Sequence, residues 1–256
     1  MADVMHSVSG HRGEHYGSRP QDVPFVEEME DLANSACAWG SVCNAGAGMG
    51  RFVSDLYGAG RFSTFTRTES PYRRLTDLRD VPVGVGLRAG SHFTTLQTLE
   101  QVLPKEHIKV EHTGGPGRRL VALMDGDVDA ATLLDPEIPI AEEKARRLAE
   151  GEFRTLFWVS AWIDPDTLGR YFRALRRADD DLRAAPERHV HLWRRNVPPD
   201  LQGDYDYSQF GLGELLFFEP FDEDMLNEAV RFAERWELGE NLREQRYENL
   251  VAPVTI

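Results

Sequence analysis

Cys43 and His92 are the side chains of this sequence best suited to covalent or proton chemistry. Cys43-Asn44 is expected between a buried strand and a glycine-rich helix start. A thiol placed there can lose its proton easily and act as a nucleophile, with Asn44 beside it as a ligand contact. The plain alternative is a small buried residue. His92 lies in Gly90-Ser91-His92-Phe93-Thr94, which reads as a helix start. Imidazole titrates near neutrality and can serve as acid or base. Free N–H groups and hydroxyls at such a start favour an anion, so Gly90, Ser91, Phe93 and Thr94 are expected ligand contacts, and simple capping by Ser91 is the alternative. Thr113-Gly114-Gly115 would let backbone approach a ligand closely, unless it is only a turn. Asp135 and Glu137 could bind a cationic group or act as a base, unless Asp135 only caps a helix. Arg67 and Arg88 fall near strand ends, where a guanidinium can fork onto a carboxylate or sulfonate, or lie solvated on the surface. His189, His191, His11 and His15 have no companion ligands at zinc spacing, so no metal site is expected. The glycine spacing of residues 44–50 is not that of a dinucleotide site, and no cofactor is expected.

These residues need a scaffold, and residues 77–142 supply one. A strand is expected over 81–87, then a helix carrying Leu96, Leu99 and Leu103. A strand over 108–111, a helix over 117–124, a tight turn at Gly126-Asp127 and a strand over 128–134 follow. Strands alternating with helices imply parallel pairing, and ligands of parallel sheets collect at the carboxyl ends of the strands. Ser91-His92, Thr113–Gly115 and Asp135–Glu137 fall at those ends.

Elsewhere, residues 6–15 read as a histidine-bearing loop and 24–32 as a helix. A strand is expected over 36–42. A helix bearing Met49, Phe52, Val53 and Leu56 should end at the glycines before residue 61, and a strand should follow over 61–68. A helix after Glu142 is expected to end at Gly151, with an apolar strand over 153–162. Asp164 should cap a helix bearing Leu168, Phe172 and Leu175, and a last amphipathic helix is expected over 223–238. Trp158, Trp162, Phe217 and Phe218 read as core, with one or two lining a pocket.

The chain has 256 residues, 41% hydrophobic, with a net charge of −14. That composition supports a folded core and argues against nucleic acid or an anionic membrane as partner. No run approaches the roughly 18 apolar residues of a membrane span. The two cysteines imply no disulfide framework. The first residues lack a basic segment followed by an apolar one, so the chain reads as cytoplasmic. The oligomeric state is not readable from the sequence.

Leu75-Thr-Asp-Leu-Arg-Asp-Val-Pro-Val-Gly-Val85, Gly90-Ser-His-Phe93, Leu120-Val-Ala-Leu-Met-Asp-Gly-Asp-Val-Asp-Ala-Ala131 and Asp135-Pro-Glu137 together resemble the sulfonate, nitrate and taurine solute-binding proteins. That group includes the thiamine-pyrimidine precursor synthase-like proteins. The resemblance spans roughly residues 30–190. It implies an α/β fold of the two-lobed type II periplasmic-binding-protein kind, with the ligand cleft between lobes. Lobe I would comprise 1–80 and 159–256, and lobe II 81–158. It also implies a small organic anion as ligand. Some relatives on this fold are cofactor-independent cytosolic enzymes, such as desulfinases and decarboxylases. Binding of a small molecule is therefore the first reading. A lyase, decarboxylase or desulfinase using Cys43 or His92 is the alternative.

Overall fold

The computed structural model describes residues 33–46, 48, 50–159, 164–197, 199–238, 246–252 and 254. The expected histidine loop at 6–15, the helix at 24–32, Met49 and Trp162 lie outside them. The chain divides into two compact units. Among the described residues, the first holds 60–153 and 185–214, and the second holds 33–59, 154–184 and 215–254.

The first unit is built on β3 (Pro82–Val85), β4 (Lys109–His112) and β5 (Ala130–Leu134). Helix α2 (Gly90–Leu99) joins the first two strands, and α3 (Pro116–Asp125) joins the second two. β3 pairs parallel with both β4 and β5, with Val83 opposite Val110 on one side and Ala130 on the other. This is the parallel unit that alternating strands and helices demand, because a parallel neighbour needs a long crossover. α3 ends where predicted: Gly126 takes a left-handed φ of 85° and donates its N–H to Ala122 O. The sheet continues through β2 (Arg51–Arg67), antiparallel to β5, and then β6 (Ala145–Val159). Helix α4 (Glu137–Glu142) follows a cis Asp135–Pro136 bond. Its Ile138 and Ile140 join Phe65, Leu120, Leu123 and Leu133 in the core, which Val197, Tyr207 and Phe210 complete. Helix α6 (Val190–Asn196) belongs to the same unit.

The second unit contains the outer parts of the same two long strands. β1 (Ala33–Cys37) pairs antiparallel with β6, and β7 (Leu215–Phe217) with β2. Helices α1 (Ala38–Gly46), α5 (Pro165–Ala184), α7 (Glu223–Arg235) and the short α8 (Tyr247–Leu250) complete it. Trp39 packs on Phe232 and Phe157 on Phe172, each at 5.5 Å between ring centroids. Asp164 and Asp222 cap α5 and α7 with carboxylates that accept from Thr167 N and Met225 N. No helix of the described residues is long and apolar enough to cross a membrane.

Three expectations fail locally. The strand placed at 36–42 ends at Cys37, and a helix takes over at Ala38. The helix placed over 49–56 is the outer half of β2, and the helix placed at 143–151 is the first half of β6. The glycines taken as helix stops explain the last two errors. A methyl on Gly60 would lie 3.1 Å from the Phe153 ring, and one on Gly151 would lie 2.8 Å from the Phe62 ring. Each neighbouring strand thus lays a phenylalanine over the other's glycine. Only a residue without a side chain leaves room for the ring, and glycine in a strand marks such an approach.

Candidate anion site at two helix amino ends

α2 and α3 start side by side at the carboxyl ends of β3 and β4. Neither has a side-chain cap: Ala89 and Gly115 carry no side-chain acceptor, and only the Ala89 carbonyl takes an N–H of the first turn, that of His92 at 2.9 Å. Each helix is ten residues long. The positive ends of both dipoles are therefore left for something else to satisfy. The two starts are close. A methyl on Gly86 would lie 3.3 Å from Gly114 O and 3.4 Å from Arg119 Nη1.

The turn before α2 is held from within. Ser91 Oγ accepts from Gly86 N at 3.0 Å, so its hydroxyl braces the turn rather than capping its own helix. His92 Nδ1 accepts from Arg88 N at 3.0 Å, which leaves the ring proton of the neutral imidazole on Nε2. Burial, with the Arg88 charge adding to it, pushes the His92 pKa down to about 4. The ring is neutral at neutral pH and is a hydrogen-bond donor there. Arg88 is exposed and sits at φ 59°, a left-handed turn position. Phe93 is core, and Thr94 Oγ1 donates back to Gly90 O, so neither presents a polar group outward. Below α2 runs a buried row of hydroxyls. Thr64 Oγ1 lies 3.0 Å from Thr132 Oγ1, which lies 2.6 Å from Thr95 Oγ1, and Thr95 donates to Ser91 O.

The turn before α3 is held by a residue that sequence reasoning passed over. Arg119 is 2% exposed. Its Nη1 donates to Gly114 O at 2.7 Å and its Nε to Thr132 O at 2.8 Å, while Nη2 is buried without a partner. Burial pushes its pKa down to about 10, opposed by the charge of Glu137, so it stays cationic at neutral pH. Glu137, on the first turn of α4, is 3% exposed, and its Oε2 has no partner either. Burial pushes its pKa up to about 7, against a bond to its own N–H and the Arg119 charge. Thr113 Oγ1 is also buried and unpartnered, close over Gly84. Asp135 is taken up by Arg61, which donates from Nε and Nη2 at 3.0 and 2.8 Å. Burial still raises the Asp135 pKa, because it outweighs the arginine's effect.

The structure therefore brings together Gly90, Ser91, His92, Thr113, Gly114, Gly115 and Glu137. Arg67 is elsewhere: it binds Leu123 O, Val128 O, Glu69 and Asp129 before the amino end of β5, opposite the Asp135 end. Cys43 and Asn44 belong to the second unit. They lie inside α1, not before a helix start, and Cys43 Sγ is 3.7 Å from Leu238 O. The premise that a helix amino end activates this thiol does not hold. A double arginine at positions 118–119, directly after a glycine-rich turn, was the one available signal for Arg119.

No protein-family model matches the chain, and no curated protein does. Solved structures do. The chain is similar to the periplasmic aliphatic sulphonate binding protein SsuA from Escherichia coli, at 18% identity over 89% of this chain and 84% of that one, with a TM-score of 0.61. The Candida albicans CA3427 gene product, described as having the generic periplasmic binding protein fold, matches at 10% identity over 97% and 84%, with a TM-score of 0.69. The desulfurization enzyme DSZB matches at 16% over 93% and 87%, with a TM-score of 0.59. At these identities the likeness shows the fold: this α/β chain has the two-unit periplasmic-binding-protein architecture.

Proposed function

We propose that this protein binds a small organic anion at the amino ends of α2 and α3, as a member of the solute-binding-protein fold. One observation carries the reading. Two adjacent helix starts without side-chain caps meet beside a buried guanidinium, so backbone donors and positive charge converge there. The naming of one similar protein as a sulphonate binder makes an aliphatic sulfonate the first probe. The similar desulfurization enzyme keeps a second reading in view, a cofactor-independent lyase or desulfinase. The state of His92 favours binding over that reading: a neutral ring with Nδ1 occupied donates a proton in a hydrogen bond and is a weak base.

The test is a calorimetric titration of the full chain with butanesulfonate, butanoate and butanol, followed by product analysis. Saturable binding of the anions and none of the alcohol supports the proposal. Equal binding of the alcohol, or no binding at all, defeats it. Turnover of a bound anion would move the assignment to the enzyme reading.

A further inference from the structure

Among the described residues, four buried side-chain polar atoms have no hydrogen-bond partner: Thr113 Oγ1, Arg119 Nη2, Glu137 Oε2 and Tyr207 Oη. All four belong to the first unit. Buried polar groups are normally satisfied, so each of these calls for a cause. Arg119 links this group to the proposed site directly, because the carbonyl it holds belongs to Gly114, two residues before the start of α3. Its charge also acts on Glu137.

We propose that anion binding at the α2 and α3 amino ends is coupled to uptake of one proton by Glu137. This rests on the binding reading above and adds its regulation. With Glu137 ionised, the Arg119 charge has a counter-ion inside the protein, and an incoming anion meets a nearly neutral pair. With Glu137 protonated, the guanidinium is uncompensated and the anion becomes its counter-ion. The anion and the carboxylate compete for one buried positive charge, so binding the first favours protonating the second. The proton comes from solvent and stays on the carboxyl, and no bond to the ligand forms.

The charged and titratable groups around Glu137 are few. The Arg119 charge acts on it from α3, without a hydrogen bond between them. Asp135 precedes it on the turn and is committed to Arg61 of β2. The unpartnered hydroxyl of Tyr207 lies in the same core as α4. Burial already holds Glu137 near pH 7, where a modest change in its surroundings changes its proton occupancy. His92 takes up its proton well below this range. His112, whose Nδ1 accepts from Leu87 N, is the other imidazole at this end of the sheet, so a variant must separate it from Glu137.

The deciding experiment titrates butanesulfonate into the full-length protein at pH 6, 7 and 8. Imidazole and Tris serve as buffers, because they are cationic and differ in ionisation heat. We expect a net uptake of up to one proton per anion near pH 7, and an affinity that weakens roughly fivefold from pH 6 to pH 8. Glu137→Gln should still bind, with the uptake and the pH dependence removed. His112→Gln should keep both. Wild-type binding without proton uptake overturns the coupling while leaving the binding reading standing, and it does so even if Glu137→Gln fails to fold. Uptake that survives Glu137→Gln or vanishes in His112→Gln overturns the assignment to Glu137. Absence of any binding at all three pH values overturns the binding reading and this inference with it.

Discussion

Arg119 Nη1 donates to the carbonyl of Gly114 at 2.7 Å, from a guanidinium that is 2% exposed. A full positive charge is thereby fixed beneath the turn that opens α3. The same side chain reaches Thr132 O in the middle of β5, so one residue ties the turn after β4 and the strand β5 to the helix between them. Removing it should therefore act on the site as well as on stability.

Arg119→Met strips both carbonyl bonds and leaves Glu137 buried beside no cation. A loss of about 2–4 kcal/mol in unfolding free energy is expected. The double variant Arg119→Met/Glu137→Gln should lose less than the sum of the single variants, because the second change removes the stranded carboxylate. Urea unfolding at pH 7.5 of the four proteins measures this. Strict additivity would show that the two residues do not interact.

Gly115 precedes α3 in extended backbone, and a side chain there would meet nothing within 4 Å. Gly115→Asp should thus fold normally and cap the helix, gaining roughly a few tenths of a kcal/mol. Its carboxylate would occupy the N–H groups assigned to the ligand and repel an anion. A higher melting temperature together with at least a tenfold weaker sulfonate affinity is the expected pair of results, the latter being about 1.4 kcal/mol or more. Unchanged affinity in a well-folded Gly115→Asp protein would move the ligand away from α3.

His92 and Glu137 give opposite pH slopes. The folded His92 pKa of about 4 lies below its ordinary 6.5. Its share of stability is complete above pH 6.5 and is lost as pH falls from 6.5 towards 4, up to about 3 kcal/mol. Glu137, at about 7 against an ordinary 4.5, works the other way: stability is gained as pH falls from 7 to 4.5. The slopes partly cancel in the wild type, so the difference from His92→Gln is the informative quantity. That variant should be relatively more stable at pH 4.5 than at pH 7.5 by denaturant titration. An equal difference at both pH values would mean that His92 is not held neutral.

Gly84 is glycine because Thr113 Oγ1 would lie 2.8 Å from any β-carbon there. Gly84→Ala should cost about 1–3 kcal/mol through overpacking. Gly84→Ala/Thr113→Ala removes the colliding oxygen and should recover most of that loss in a thermal melt. Failure of the rescue would place the strain elsewhere.

What the sequence determined by itself was local. Short apolar strands, helix periodicity and the Gly126-Asp127 turn made the parallel β3–α2–β4–α3–β5 unit legible. Because chain direction sets which strand ends meet, the grouping of Ser91, Thr113–Gly115 and Glu137 was legible too. What only the tertiary structure decided was long-range. Gly60 and Gly151 look like helix stops until the neighbouring strand lays Phe153 and Phe62 over them. Cys43 looks like the residue before a helix until Ala38 starts one earlier. Arg119 looks like a surface residue of an amphipathic helix. Its burial depends on Gly114 and Thr132, which bring two carbonyls to it from either side of the helix in sequence, and on Glu137, whose charge acts on it only once β5 and α4 have packed. A charge can be kept inside a protein only when such partners assemble around it, and residue spacing along the chain does not record that assembly.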